Sequence, residues 1–294
     1  KKLKEHKNFT LIKGDIRNEQ DLEKLDGIDV IVHLAAKTGV RPSIHEPATY
    51  YEVNVNGTQN LLEFAKQKNV KQFVFASSSS VYGINENVPW KETENLLPIS
   101  PYASTKLSGE MLGHVYHHLY GIRFLALRFF TVYGPSQRPD LAIHKFFNSI
   151  LTGQPIPIFG DGSTSRDYTF VDDIVQGIIA AISYTATGYE IVNLGNHHII
   201  RLNELVQAIE NIVGKKATIK ELLEQPGDVS RTYADISKAK KLFGYDPKTE
   251  LEAGLHSFYT WYQRNAPALY ATPVSSTSAA LLSGADLNSL DLYA

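Results

Sequence analysis

Tyr102 and Lys106 lie four residues apart at the start of a helix-like run that opens with Ser100-Pro101. Serine is a good N-cap, proline suits the first helical position, and residues four apart lie one above the other on a helix face. A phenol beside an ammonium makes a base: the positive charge favours the phenolate and lowers a pKa of about 10. Upstream, Ser77-Ser78-Ser79-Ser80-Val81-Tyr82-Gly83 closes the apolar run Gln72-Phe73-Val74-Phe75-Ala76. A hydroxyl at the end of such a run can share the proton of a substrate alcohol. The set suits removing a proton from a carbinol while hydride leaves its carbon. Taken alone, a Tyr-x-x-x-Lys spacing is an ordinary surface pair that a chain of this length produces by chance about once. A serine run alone is ordinarily a loop. The weight rests on their combination.

These groups need a scaffold that brings a strand end to a helix start. Residues 9–13, 30–34, 72–76 and 123–129 read as strands, and 50–68, 101–119, 142–151, 172–183 and 202–213 read as helices. The alternation predicts an α/β fold, a doubly wound parallel sheet with helices on both faces. Gly14, Ala35, Ser77 and Phe130 then sit at strand ends, the edge where open α/β sheets bind ligands. From about Tyr133 the pattern turns to Pro- and Gly-rich segments such as Gln154-Pro155-Ile156-Pro157-Ile158-Phe159-Gly160. That predicts a smaller α/β substrate-binding lobe interleaved with the first. The expected division is 1–134 with 168–195 for the first domain and 135–167 with 196–265 for the second. Residues 266–294, rich in Ala, Ser, Thr and Leu, read as a disordered tail.

Composition narrows the function. The formal net charge is −2, with Lys and Arg scattered, which argues against a nucleic-acid surface. With no cysteine there is no disulfide or thiolate site, and no apolar run reaches membrane-spanning length. A cytoplasmic setting is expected.

At these residues the chain resembles the extended short-chain dehydrogenase/reductases, the NAD-dependent epimerase/dehydratase family of nucleotide-sugar enzymes. The resemblance runs from about residue 9 to about residue 262. Its markers are Gly14-Asp15, His33-Leu34-Ala35-Ala36, Gly39-Val40-Arg41, Asn54-Val55-Asn56-Gly57-Thr58, the serine run and Tyr102/Lys106. Further markers are Arg128-Phe129-Phe130-Thr131-Val132-Tyr133-Gly134-Pro135, Arg138-Pro139-Asp140, Arg166-Asp167-Tyr168, Val171-Asp172-Asp173, Asn193-Leu194-Gly195 and Pro226-Gly227-Asp228. The family opens with a strand, a Gly-x-x-Gly-x-x-Gly turn and a helix that hold the dinucleotide pyrophosphate. No such motif occurs in this sequence. The expectation is a Rossmann fold truncated at its N-terminus, whose 294 residues alone bind NAD weakly or not at all and are inactive.

The resemblance implies roles. The catalytic set is Ser78, Tyr102 and Lys106. The NAD-binding set is Asp15, Ile16, Leu34, Ala35, Ala36, Lys37, Asn54, Ala76, Ser77, Tyr102, Lys106, Phe129 and Val132. For a UDP-sugar substrate, Arg138, Arg166 and Arg231, with Arg41 behind them, are the candidate phosphate cations, and Thr131 matches a diphosphate contact. Phe159 is a candidate uracil wall, Asp228 a ribose acceptor, and Ser78, Ser79 and Ser80 face the sugar. The implied reaction is 4-epimerisation of UDP-glucuronate to UDP-galacturonate through a 4-keto intermediate. A 4,6-dehydratase would carry Asp-Glu before Val-Tyr-Gly and a decarboxylase Ser-Glu, where this chain has Ser79-Ser80. UDP-glucose epimerisation, a related epimerase or dehydratase reaction, and an inactive fragment that only binds a sugar nucleotide or partner are the alternatives. Glu110, His114 and His118 share a helix face and His197-His198 are adjacent, but no metal is expected. Family members commonly dimerise through a four-helix bundle, here 49–68 with 101–120.

Overall fold

The computed structural model describes residues 5–223 and 229–270, with the backbone alone for 266–270. The chain divides into two compact units. The first comprises 1–129, 177–194 and 236–245, and the second 130–176, 195–235 and 246–294.

The first unit is built on four parallel strands in the order β1 (Val30–His33), β2 (Gln72–Ser78), β3 (Arg123–Phe129) and β8 (Tyr189–Leu194). Every residue of β2 is buried, as a strand paired on both edges and covered on both faces requires. Helices α4 (Gly57–Gln67) and α5 (Pro101–Tyr120) cover one face. There Leu61, Leu62, Phe64 and Tyr116 pack on Phe73, Phe75, Phe124 and Ala126. On the other face Gln72 Nε2 donates to the carbonyls of Ala181 (2.8 Å) and Tyr184 (3.0 Å). Gly109 and Gly113 of α5 face the sheet; a Cβ at Gly109 would drive into the ring of Phe75 and one at Gly113 into that of Phe124.

The second unit holds three two-stranded pairings. β4 (Thr131–Tyr133) runs parallel to β7 (Tyr168–Phe170), and β5 (Ile156–Phe159) runs parallel to β10 (Ile219–Leu222). β6 (Ser165–Arg166) is antiparallel to β9 (Ile200–Arg201). Around them α6 (Ala142–Thr152), α8 (Leu202–Val213) and α10 (Leu251–Tyr270) bury Phe146, Phe147, Ile209, Leu255 and Phe258 in one core.

The structure corrects several expectations. Residues 9–13 form no strand, and Phe9, Leu11 and Ile12 are exposed. Among the described residues nothing pairs with the run, and a strand exists only through its partner. β2 continues to Ser78, since Ser77 and Ser78 still pair with Arg128 and Phe129. The helix expected over 50–68 is broken: α3 (Pro47–Tyr51) and α4 are joined by a π-helical turn, Glu52–Asn56. Residues 130–134 and 168–176 belong to the second unit, because β4 and β7 pair with each other. Helix α9 (Ser237–Phe243) belongs to the first, where Lys238 pairs with Glu190 (2.6 Å) and Phe243 packs on Tyr184. α10 carries regular helix on to Tyr270, past the expected start of the tail at 266. Residues 271–294 of that expected tail lie outside the described residues.

Candidate active site

α5 begins as its sequence dictates. Ser100 Oγ accepts from Ala103 N–H (3.2 Å), Pro101 fills the first position, and Tyr102 follows in the first turn. One turn on, Lys106 is almost fully buried. Its Nζ donates to the Ala76 carbonyl (2.7 Å) and lies 5.1 Å from the centre of the Phe75 ring. Burial pushes the Lys106 ammonium down to about 8. Tyr102 packs edge-on against the buried Tyr50 ring (6.4 Å), whose hydroxyl donates to the Thr38 carbonyl (2.8 Å). A further turn on, Glu110 accepts from Ser77 Oγ (2.6 Å), Arg128 Nε (2.9 Å) and Arg128 Nη2 (2.8 Å). Two successive turns of α5, at Lys106 and Glu110, thus meet Ala76 and Ser77 near the end of β2. Glu110 was legible only as a possible metal ligand; its spacing from Lys106 beside two glycines was the available signal.

Ser78 ends β2, 8% exposed, and caps the 3-10 turn Ser79–Tyr82. Its Oγ accepts from Ser80 N–H (3.2 Å) and donates to Ser80 Oγ (3.1 Å). Ser79 is buried and Ser80 half-buried, and Phe129 pairs with Ser78 from β3. The three expected catalytic residues therefore belong to one helix start and one strand end of the first unit.

At the end of β1, His33 is buried, with Nε2 on Thr58 Oγ1 (2.9 Å). Burial, then the Lys106 charge, lower its pKa to about 3, so the ring is neutral. Leu34 and Ala35 are exposed at this edge, and Ala36 and Lys37 are half-buried. Asn54 accepts from Lys37 N–H (2.8 Å) and donates to Lys37 C=O (2.9 Å) and Thr105 Oγ1 (3.0 Å). Its amide ties the loop after β1 to α5, so it acts here as a brace. Lys37 Nζ pairs with Glu46 (2.9 Å). Asp15 and Ile16 are engaged elsewhere. The Asp15 carboxylate is forked by Arg17, whose hydrogen bonds lower it to about 2, and Ile16 packs against the core. Arg41 lies in the short helix α2 (Val40–His45).

The second unit carries the other candidates. Thr131 pairs with Tyr168 on β7, and Val132 with Thr169. Phe159 ends β5, half-buried and paired with Leu222. Arg138 is exposed and forked onto Asp140 (2.9 and 2.6 Å). Arg166 Nη1 donates to the Ser165 carbonyl (2.9 Å). Arg231 bridges to Ser165, so strand alternation places it on the Ser165 side and Arg166 on the other. Asp228 lies outside the described residues. Among the described residues no three metal-ligating side chains cluster, and Glu110 is committed to Arg128.

The fit to a dinucleotide is tested by Lys106. Its ammonium has three donors and one carbonyl partner, leaving N–H groups for ribose hydroxyls beside the exposed Leu34-Ala35 ledge. The residues present fit the nicotinamide-ribose end.

Known proteins resemble this chain over most of its length. The family described as GDP-mannose 4,6 dehydratase matches residues 1–258. An uncharacterised protein of Methanocaldococcus jannaschii is 48% identical over 267 residues, 90% of this chain and 82% of that protein. A UDP-glucuronate 4-epimerase of Thermodesulfobacterium geofontis is 43% identical over 268 residues, 90% and 82%. The crystal structure of UDP-glucuronic acid 4-epimerase from Bacillus cereus, in complex with UDP-glucuronic acid and NAD, superposes with a TM-score of 0.83. It is 39% identical, covering 90% of this chain and 84% of that one.

Proposed function

This chain belongs to the family described as GDP-mannose 4,6 dehydratase, and from that premise we propose an NAD-dependent 4-epimerase of a UDP-uronic acid. The reaction converts UDP-glucuronate to UDP-galacturonate through a 4-keto sugar. The observation that carries it is the buried Lys106 ammonium one helical turn from Tyr102, against the strand that ends at Ser78.

Bound NAD would supply reversible hydride exchange with the sugar carbon. Lys106 and the Leu34–Lys37 edge would hold its nicotinamide ribose, with Asn54 bracing that edge. Tyr102 Oη, one helical turn from the Lys106 charge, takes the proton of the 4-hydroxyl. Ser78 Oγ shares that hydrogen bond and steadies the oxygen. The same proton returns from Tyr102 when the 4-hydroxyl is remade on the opposite face. Ser79 and Ser80 offer hydroxyls to the sugar, with no carboxylate in the serine run to favour elimination or to repel a uronate. Thr131 and Arg166 would take the diphosphate, Phe159 the uracil.

Incubation with NAD and UDP-glucuronate, with products separated by chromatography, tests the reading. UDP-galacturonate is expected, and no product at all would favour the inactive sugar-nucleotide-binding alternative instead. Dominant UDP-xylose, or a clear preference for UDP-glucose, would overturn the substrate.

The same reading includes a homodimer packed through α3, α4 and α5, and cytoplasmic placement. Met111, Val115 and Leu119 are exposed at four-residue steps along α5, which supports the helical interface. Among the described residues no helix is long and apolar enough to cross a membrane. Sedimentation of a Val115→Glu variant as monomer against a wild-type dimer would test the interface.

A further inference from the structure

Two features have no part in the reaction above: Asp167, and the adjacent histidines His197 and His198. Asp167 is fully buried, and all of its polar groups are engaged. Oδ1 accepts from Asn196 N–H (2.7 Å) and Thr169 Oγ1 (3.2 Å). Oδ2 accepts from the N–H groups of His197 and Ala234, each at 3.1 Å. The Asp167 N–H donates to Thr232 Oγ1 (3.2 Å), and its carbonyl accepts from Thr131 N–H (3.0 Å). Three separate stretches of the second unit converge on one side chain.

The surroundings are shaped for this. His197 sits at φ 56, a left-handed conformation few side chains adopt, and in it aims its N–H at the carboxylate. Its ring fixes that strained turn: Nδ1 donates to the Ala234 carbonyl (2.7 Å) and the ring stacks on Tyr233 (5.1 Å). A Cβ on Gly195 would lie 2.5 Å from Ala234 Cβ and 3.0 Å from Asp167 Oδ2, so glycine lets the loop come this near without displacing Ala234. Burying a carboxylate is costly even when it is hydrogen-bonded. An apolar side chain could fill such a space at lower cost, so the fixed geometry has to be the return.

What the ring of bonds fixes is the stretch between two candidate phosphate ligands. Arg166 immediately precedes Asp167, and alternation turns it away from the buried carboxylate, to the face it shares with Tyr168. Thr131 pairs with Tyr168, so it lies on that face too, and its N–H is the one held by the Asp167 carbonyl.

We propose that Asp167 is the positioning residue of the diphosphate grip, anchoring from behind the stretch that presents Arg166 and Thr131 to the phosphates of a nucleoside diphosphate. This rests on the nucleotide-sugar reading above. Asp167 touches no substrate. It sets where the guanidinium and hydroxyl can reach, and the uracil end of the ligand does not depend on it.

The test compares UDP with uridine, which lacks the phosphates, by calorimetry on the 294-residue chain. In Asp167→Asn the amide turns N–H toward N–H at one oxygen. UDP affinity should fall about ten- to hundredfold, while uridine affinity changes by less than about twofold. Thr232→Val removes only the acceptor for the Asp167 N–H, and should weaken UDP about three- to tenfold with uridine again unmoved. If Asp167→Asn does not fold, Thr232→Val decides alone. Equal losses for UDP and uridine, or unchanged UDP binding in both variants, would overturn the proposal. A wild-type chain that binds neither ligand would instead remove the nucleotide-sugar reading, and this inference with it.

Discussion

Two neighbouring turns of α5 carry buried charge in opposite ways. At Glu110 the carboxylate is fully sequestered and fully answered: Arg128 forks it and Ser77 supplies a third donor. At Lys106, four residues earlier, the ammonium is 4% exposed and meets one carbonyl and the face of one ring. No carboxylate answers it among the described residues. A compensated buried pair behaves as structure, because both charges are spent on each other. An uncompensated one holds its field available for another group, here the phenol one turn away. Local charge balance thus separates the part of the helix that holds the sheet from the part proposed above to be catalytic.

Four variants can break or sharpen this contrast. Tyr102→Phe keeps the ring and removes the titrating oxygen. Turnover of UDP-glucuronate should fall about 100- to 10,000-fold, with the urea midpoint unchanged. Near-wild-type turnover would remove Tyr102 as the base. Arg128→Met leaves Glu110 charged and alone, and should cost about 3–5 kcal/mol in urea unfolding. A loss under about 1 kcal/mol would show that the two turns are not different in kind. Lys106→Met should do the reverse and stabilise the fold by about 2–3 kcal/mol at pH 7 while abolishing turnover. The sign follows from its folded pKa of about 8 lying below the ordinary lysine value of 10.5. Between those values the unfolded chain binds more protons, so wild-type stability rises with pH across that window and the gap to Lys106→Met closes. A gap constant from pH 7 to 10.5 would refute the uncompensated ammonium. Smallest of all, Asp140→Asn breaks an Arg138 fork whose side chains are 51% and 41% exposed. Solvent screening should limit the loss to less than about 1 kcal/mol, read by thermal unfolding.

Much of the fold was legible where the signal was local. The buried runs at 72–76 and 123–129, and the Ser100-Pro101 helix start, follow from burial period and capping, and they place Tyr102 and Lys106 at a helix start and Ser78 at a strand end. The failures are non-local. Residues 9–13 have the apolar content of a strand, but strand formation depends on a neighbour that no single segment encodes. The 50–68 helix has an unbroken helical pattern. Its π-helical turn shows only once Asn54 is seen reaching Lys37 and Thr105. Glu110 was read for its spacing from His114 and His118, since its partner Arg128 lies on another element. Asp167 stood inside a quoted motif, yet its partners at 196, 197 and 234 are about 30 to 67 residues away. Charges whose partners are distant in sequence read as surface until the fold brings the partners in.

Ser78 closes its own small circuit, and that has a kinetic meaning. Its oxygen is pinned from one side by Ser80 N–H, while its proton points to Ser80 Oγ. A sugar hydroxyl arriving at Ser78 need not displace the oxygen. Only the proton has to swing about the Cβ–Oγ bond, from one oxygen acceptor to another. Such a rotation trades like for like and leaves every heavy atom where it was. The hydroxyl is a rotor on a fixed axle, and in the proposed reaction it would answer proton movement at Tyr102 without waiting for the backbone.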